Sequence, residues 1–348
     1  YAGFSWRTGP IDVVGSVVTI ETETKEGMRL PFNIIRGYRP LLVSLANTRE
    51  PLFIANRSGN RPSAEGAAAY LDKAIALCRK AGFSDILLRG DTDFSQTRFL
   101  DGWDADRVRF VFGYDAMKNL VTRANGIDGA EFCELERRAH GTFVAAEQRR
   151  AKQPRIKEGI VRAKGYKNIR LRSEDIAEFE YRPTACRQTY RMVVLRKNLT
   201  VERGDTALFD DIRYFFYITN DREMPAEQVV FEANERCDQE NLIAQLKHGV
   251  RALHAPVNTL NANGAYMVMA ALAWSIKAWM ALMLPVSPRW RARHLAAQQR
   301  WLRMEFRTFL NEVLLVPAQV VRTGRRRILR ILAWRPELPT LLRLAEAT

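Results

Sequence analysis

The sequence predicts an α/β protein with a mixed sheet and flanking helices, and three observations carry that prediction. Two apolar segments joined by a polar turn come early and read as a strand hairpin. A helix–strand–helix–strand alternation follows to about residue 113, and residues 169–219 then return to the apolar–polar alternation of strands. A helical C-terminal region completes the expected order.

Each element has its own reason. Residues 11–20, IDVVGSVVTI, are rich in Val and read as a strand. LLVSLA (41–46) and LFIAN (52–56), parted by NTREP, read as the hairpin. Ser63 reads as the N-cap of a helix running to Gly82, with Tyr70, Leu71, Ala74, Ile75 and Cys78 at helical spacing. DILLRGD (85–91) is a short apolar strand that ends abruptly in charge. A helix near 96–106 and the strand VRFVFG (108–113) follow. Between about 125 and 170 the periodicity fades. There RRAKQPRIKEGIVRAKGYK (149–167) sets eight Lys or Arg against one Glu, which suits a solvated linker or a nucleic-acid contact. The segments IRLRSEDIAEFEYRP, QTYRMVVLRKN and DIRYFFYITN predict an antiparallel β-rich insertion with one solvated face. Pro225 opens and Gly249 closes a helix, an apolar helix lies at 265–284, and a helical tail ends the chain. The expected division is therefore 1–124, 125–222, 223–285 and 286–348.

Composition narrows the partners. A chain of 348 residues with 47% hydrophobic side chains can bury a large core. The formal charge of +15 suits a polyanion, either nucleic acid or an anionic membrane. Residues 286–348 hold thirteen Arg, no Lys and four Glu. The four cysteines, Cys78, Cys133, Cys186 and Cys237, form no C-x-x-C pair, which argues against zinc and for thiols in a reducing cytoplasm. Residues 265–284 have nearly the length of a membrane span. Lys277 inside them favours a core helix and no membrane. The opening YAGFSWRTGP has neither an initiator Met nor a signal core, and reads as a fragment that has lost its beginning.

The stretch NERCDQENLIAQLKHG (234–249) is where chemistry enters. On a regular helix Arg236, Glu240 and Lys247 fall in one narrow stripe beside the apolar arc of Leu242, Ile243 and Leu246. A surface ion pair at i, i+4 is the plain reading of Arg236 and Glu240. Asp12 begins one strand and Asp91 ends another, where a turn role is common but where functional groups of α/β sheets also gather. If they converged, Asp12, Asp91 and Glu240 could ligate Mg²⁺ for phosphoryl transfer, with Arg236 and Lys247 on DNA phosphates. Asp93 reads as a turn residue, Trp274 and Trp279 as core, and His248 and His254 as structural or near DNA.

The sequence resembles the DDE transposases of bacterial insertion sequences, most closely the insertion-sequence 1380 group. The likeness is strongest in residues 37–97, in TACRQTYRMVVLRKN (184–198) and in ERCDQENLIAQLKHGVRALHAPVNTL (235–260). The family's second Asp follows an Arg-Gly pair and matches Asp91. Its Arg-x3-Glu-x6-Lys signature matches Arg236, Glu240 and Lys247 without gaps, while the Tyr that usually precedes it is Ala233 here. The family's first-strand motif usually reads Asp-x-Asp-Gly-Thr, whereas this chain reads DVVGS (12–16), with Val14 at the second acid position. With the metal acid at 12 the triad is complete, and with it at 14 the chain lacks a ligand.

The resemblance implies a ribonuclease-H-like catalytic core (1–124 and 223–285) interrupted by the β-rich insertion. It further implies Asp12, Asp91 and Glu240 as catalytic metal ligands for Mg²⁺ or Mn²⁺ in a pair of ions, and Arg236 and Lys247 as DNA-binding residues. The implied activity is cut-and-paste cleavage and strand transfer at terminal inverted repeats. A homodimer would work on paired ends and target DNA, in the bacterial cytoplasm at the nucleoid. The other reading is a decayed, transposase-derived protein that binds DNA without cutting it.

Overall fold

A computed structural model describes residues 7–20, 25–27, 37–136, 159–160, 163–203, 206–236 and 238–347. Most of the basic run at 149–167 and Cys237 lie outside them.

The strands are β1 (Thr8–Gly15), β2 (Val18–Thr19), β3 (Gly37–Tyr38), β4 (Leu41–Leu45), β5 (Glu50–Ala55), β6 (Asp85–Gly90) and β7 (Arg109–Tyr114). After them come β8 (Cys133–Glu134), β9 (Lys167–Tyr181), β10 (Tyr190–Arg203), β11 (Thr206–Thr219), β12 (Ala318–Thr323) and β13 (Arg326–Ile331). One mixed sheet has the order β5-β4-β1-β6-β7-β11-β10-β9-β8, with β1, β6 and β7 parallel at its centre. This mixed α/β arrangement is consistent with the ribonuclease-H-like transposase fold expected from the sequence.

Helices cover both faces of the central strands, so those strands are largely apolar on both faces, with Asp12 and Arg89 the charged exceptions inside β1 and β6. Ile11 and Val13 face α1 (Ala67–Lys80), α2 (Leu100–Ala105) and α3 (Lys118–Asn125) in the larger core. Val14 and Leu42 face the other way, with Leu242 and Leu246. That second layer is made of α4 (Ala226–Glu235), α5 (Asp238–Ala244) and α6 (Leu260–Leu282). Val229 and Val230 seat α4 on Leu87, Val111 and Val193. The turn into α4 is fixed by Asp221, whose Oδ1 accepts the backbone N–H groups of Glu223 and Met224. Its Oδ2 accepts from Arg109 at 2.8 Å.

Several expectations are corrected. The β-rich segment is antiparallel, and β11 pairs with β7 from Phe216↔Tyr114 onward, so β9–β11 extend the central sheet. The C-terminal region is not wholly helical. After α7 (Arg291–Arg303) and α8 (Phe306–Phe309), β12 and β13 form a two-stranded ribbon about Gly324 before α9 (Leu338–Ala347). Val320, Val321, Ile328, Leu329 and Ile331 on either side of the turn at Gly324 favour the ribbon there. Trp274 is buried as expected, but Trp279 is half exposed. It lies with Met269, Leu272, Ile276 and Met283 on an uncovered apolar stripe of α6. By length and composition α6 could cross a membrane. Its Lys277 is fully buried, donates to the carbonyl oxygens of Leu302 (3.0 Å) and Met304 (2.5 Å), and stacks over Trp274.

Candidate active site

The parallel register of β1 and β6 sets Asp12 beside Arg89, both on the face covered by α4 and α5. The guanidinium fork of Arg89 takes both oxygens of Asp12, Nε to Oδ1 at 2.7 Å and Nη2 to Oδ2 at 3.1 Å. Its remaining nitrogen, Nη1, reaches Glu232 (2.9 Å) and Glu235 (3.4 Å) on α4. Asp12 and Arg89 side chains are each 3% exposed, so this is an interior ion pair that also fastens α4 to the sheet. Burial pushes the Asp12 carboxyl upward against the pull of Arg89 and Arg236. Arg89 loses to burial but gains more from Asp12, Glu232 and Glu235, which hold it firmly cationic. The two parallel N–H···O contacts have the fork geometry of an arginine–carboxylate pair.

Gly90 is required by close approach: a Cβ there would meet Phe94 at 2.9 Å and Phe112 at 3.0 Å. Asp91 then leaves the strand and caps a short 3-10 turn, Thr92–Phe94, accepting the Asp93 N–H at 3.1 Å. Asp93 thus has the expected turn position. Asp91 is partly exposed and lies 3.7 Å from Arg236. Burial raises its carboxyl, and Arg236 opposes the rise.

The helix expected to run from Pro225 to Gly249 is broken. Its ends hold, with Pro225 as the N-cap and Gly249 as the last residue, but α4 stops at Glu235 and α5 begins at Asp238. Residues Gln245–Gly249 then form a π turn, which winds more than 3.6 residues per turn. The single stripe of Arg236, Glu240 and Lys247 therefore does not survive as helix arithmetic. Gln239 Nε2 donates to Ser44 Oγ at 3.0 Å and seats α5 on the sheet. Glu240 follows in the first turn of α5 and is exposed. The half-buried Lys247 sits in the π turn, its carbonyl 2.9 Å from His254 Nε2.

Asp12 and Asp91 are thus gathered around Arg236, whose charge acts on both. Among the described residues no three His, Cys, Asp or Glu side chains are grouped to hold a metal ion. The donor set of Asp12, Asp91 and Glu240 does not fit a divalent ion in this arrangement, because a guanidinium already occupies both Asp12 oxygens. Sequence reasoning missed Arg89, Glu232 and Glu235. A signal existed: an arginine alternating with Leu87 in a strand covered on both faces must find a buried counter-ion.

The sequence model of the family described as Transposase DDE domain group 1 matches residues 30–347. The chain belongs to the DDE transposase family. Members of that family cleave and join DNA, and they generally use divalent metal ions. Among solved structures, this DDE transposase is similar to the piggyBac transposase in its synaptic complex with hairpin DNA. The identity is 9% and the TM-score 0.36, over 88% of this chain and 55% of that one. The chain therefore spans little more than half of the matched protein. No curated protein matches it.

Proposed function

We propose that this chain is an insertion-sequence transposase, of the 1380 group, that binds its element's terminal inverted repeats as a homodimer at the bacterial nucleoid. We propose also that its present centre holds DNA without cutting it. The observation that carries this reading is the two-pronged Arg89–Asp12 pair, which takes the first expected metal ligand out of use. DNA binding is supported by family membership and by the +15 charge, with Arg236 and Lys247 as phosphate contacts beside the partly exposed Asp91.

A second reading is the active cut-and-paste enzyme, in which Asp12, Asp91 and Glu240 hold two Mg²⁺ or Mn²⁺ ions. It is supported by the shared field of Arg236 on Asp12 and Asp91. It requires Arg89 to release Asp12 and Glu240 to join them.

The test uses purified protein carrying any upstream coding sequence, with labelled duplex bearing the repeats that flank the gene. Retarded DNA with no nick in either metal supports the first reading. Metal-dependent nicks at the repeat ends, lost in E240Q, establish the second. Absence of binding to the repeats sinks both.

A further inference from the structure

We infer that Val14 stands where the first metal-binding carboxylate of this centre belongs, and that Asp12 is the buried counter-ion of Arg89. This rests on the transposase reading. Strand register chooses between the two acid positions of the first-strand motif. Asp12 is level with Arg89, the last pair of the parallel β1–β6 register, and continuing that register past the end of β6 would set Val14 beside Asp91, the residue that follows Gly90. Asp12 and Val14 share a face but lie about 6.5 Å apart, which separates an interior position from the strand end where Asp91 emerges. The two positions have different neighbours. Asp12 has its oxygens on Arg89, and through Arg89 on Glu232 and Glu235. Val14 packs in the cluster that contains Leu242 and Leu246, the first on α5, the helix that bears Glu240.

A carboxylate at 14 would adjoin both Asp91 and the first turn of α5, whereas the carboxylate at 12 adjoins a cation. On this assignment the chain keeps Asp91 and Glu240 of the expected acids and has a methyl pair in place of the third. Asp12 acts as a positioning residue: it orients Arg89, which draws α4 down and sets Arg236 beside Asp91.

The experiment is Mn²⁺ titration of the whole protein by calorimetry and electron paramagnetic resonance, with melting curves on every variant. The wild type is expected to show no saturable Mn²⁺ site, and D91N to match it. V14D is expected to gain one site binding at least about tenfold more tightly, removed again in V14D/D91N. D12N is expected to lower the melting temperature while leaving the Mn²⁺ signal unchanged. A saturable wild-type site that D12N or D91N abolishes overturns the assignment, and so does a folded V14D that binds no more Mn²⁺ than the wild type. If the buried carboxylate keeps V14D from folding, the wild-type, D12N and D91N titrations decide the matter. Repeat-DNA binding, followed separately by fluorescence anisotropy, tests the transposase reading and leaves the metal result independent of it.

Discussion

Arg89 illustrates how much one side chain can organise. Arg89 is fixed by two hydrogen bonds to Asp12 and one each to Glu232 and Glu235, and because Arg89 and Asp12 are both buried, removing either leaves the other's charge in the interior without its two-pronged partner. Replacing Arg89 by Met is expected to cost about 3–5 kcal/mol, read from denaturant unfolding. R89M/D12L should recover part of that loss, because no unpaired charge then remains between them. Lys277 allows a prediction with a sign. Burial pulls its ammonium down to about 7, whereas an unfolded lysine titrates near 10.5. Between those values the unfolded chain holds the extra proton, so the Lys277 contribution to stability rises with pH. Melting curves from pH 7 to 8.5 should show this rise in the wild type, at most about 1.4 kcal/mol per unit, and lack it in K277M.

At the scale of elements, the sequence read well where periodicity was local. The β4–β5 hairpin, the α1 face and the strand ending at Asp91 follow from alternation or helical spacing within one short window. The Arg89–Asp12 pair was illegible because it joins residues 77 apart through a strand register that no window contains. The break after Glu235 was hidden because Glu235 and Arg236 favour helices, although Asn234 and Asp238 beside them do not, and because Gln239 is seated on Ser44, 195 residues away. The β12–β13 ribbon was read as helix for a similar reason, since arginine favours helices and five of them lie in residues 322–330. That ribbon has Arg322 directly opposite Arg327 and contains no acid, a pairing that repels itself unless a polyanion lies alongside. Changing Arg322, Arg325, Arg326 and Arg327 together to Gln should flatten the salt dependence of DNA binding. The log–log slope is expected to change by about 0.9 for each phosphate that the ribbon no longer neutralises. An unchanged slope would remove the ribbon from the interface.

Across the whole molecule, two layers divide the labour. The α1–α3 side is a closed apolar core, while the α4–α6 side carries Asp12, Arg89, Asp91, Arg236 and the uncovered stripe of α6. The net charge of +15 makes DNA association salt-sensitive as a whole, whatever the state of the metal centre. Binding of repeat DNA by the wild type and by D91N should therefore differ little in affinity at matched salt, measured by anisotropy, because the loss of one carboxylate beside Arg236 leaves the basic surface intact.

The ribbon has one more consequence. Its strands are exposed almost throughout and, among the described residues, pair only with each other, and a lone two-stranded hairpin in water opens at almost no free-energy cost. Its backbone amides should therefore trade hydrogen for deuterium within seconds in the free protein, while those of β1, β6 and β7 hold theirs. A polyanion laid against Arg322–Arg330 would slow that trade in the ribbon. A loosely held ribbon would thus serve as a built-in gauge of whether DNA is present.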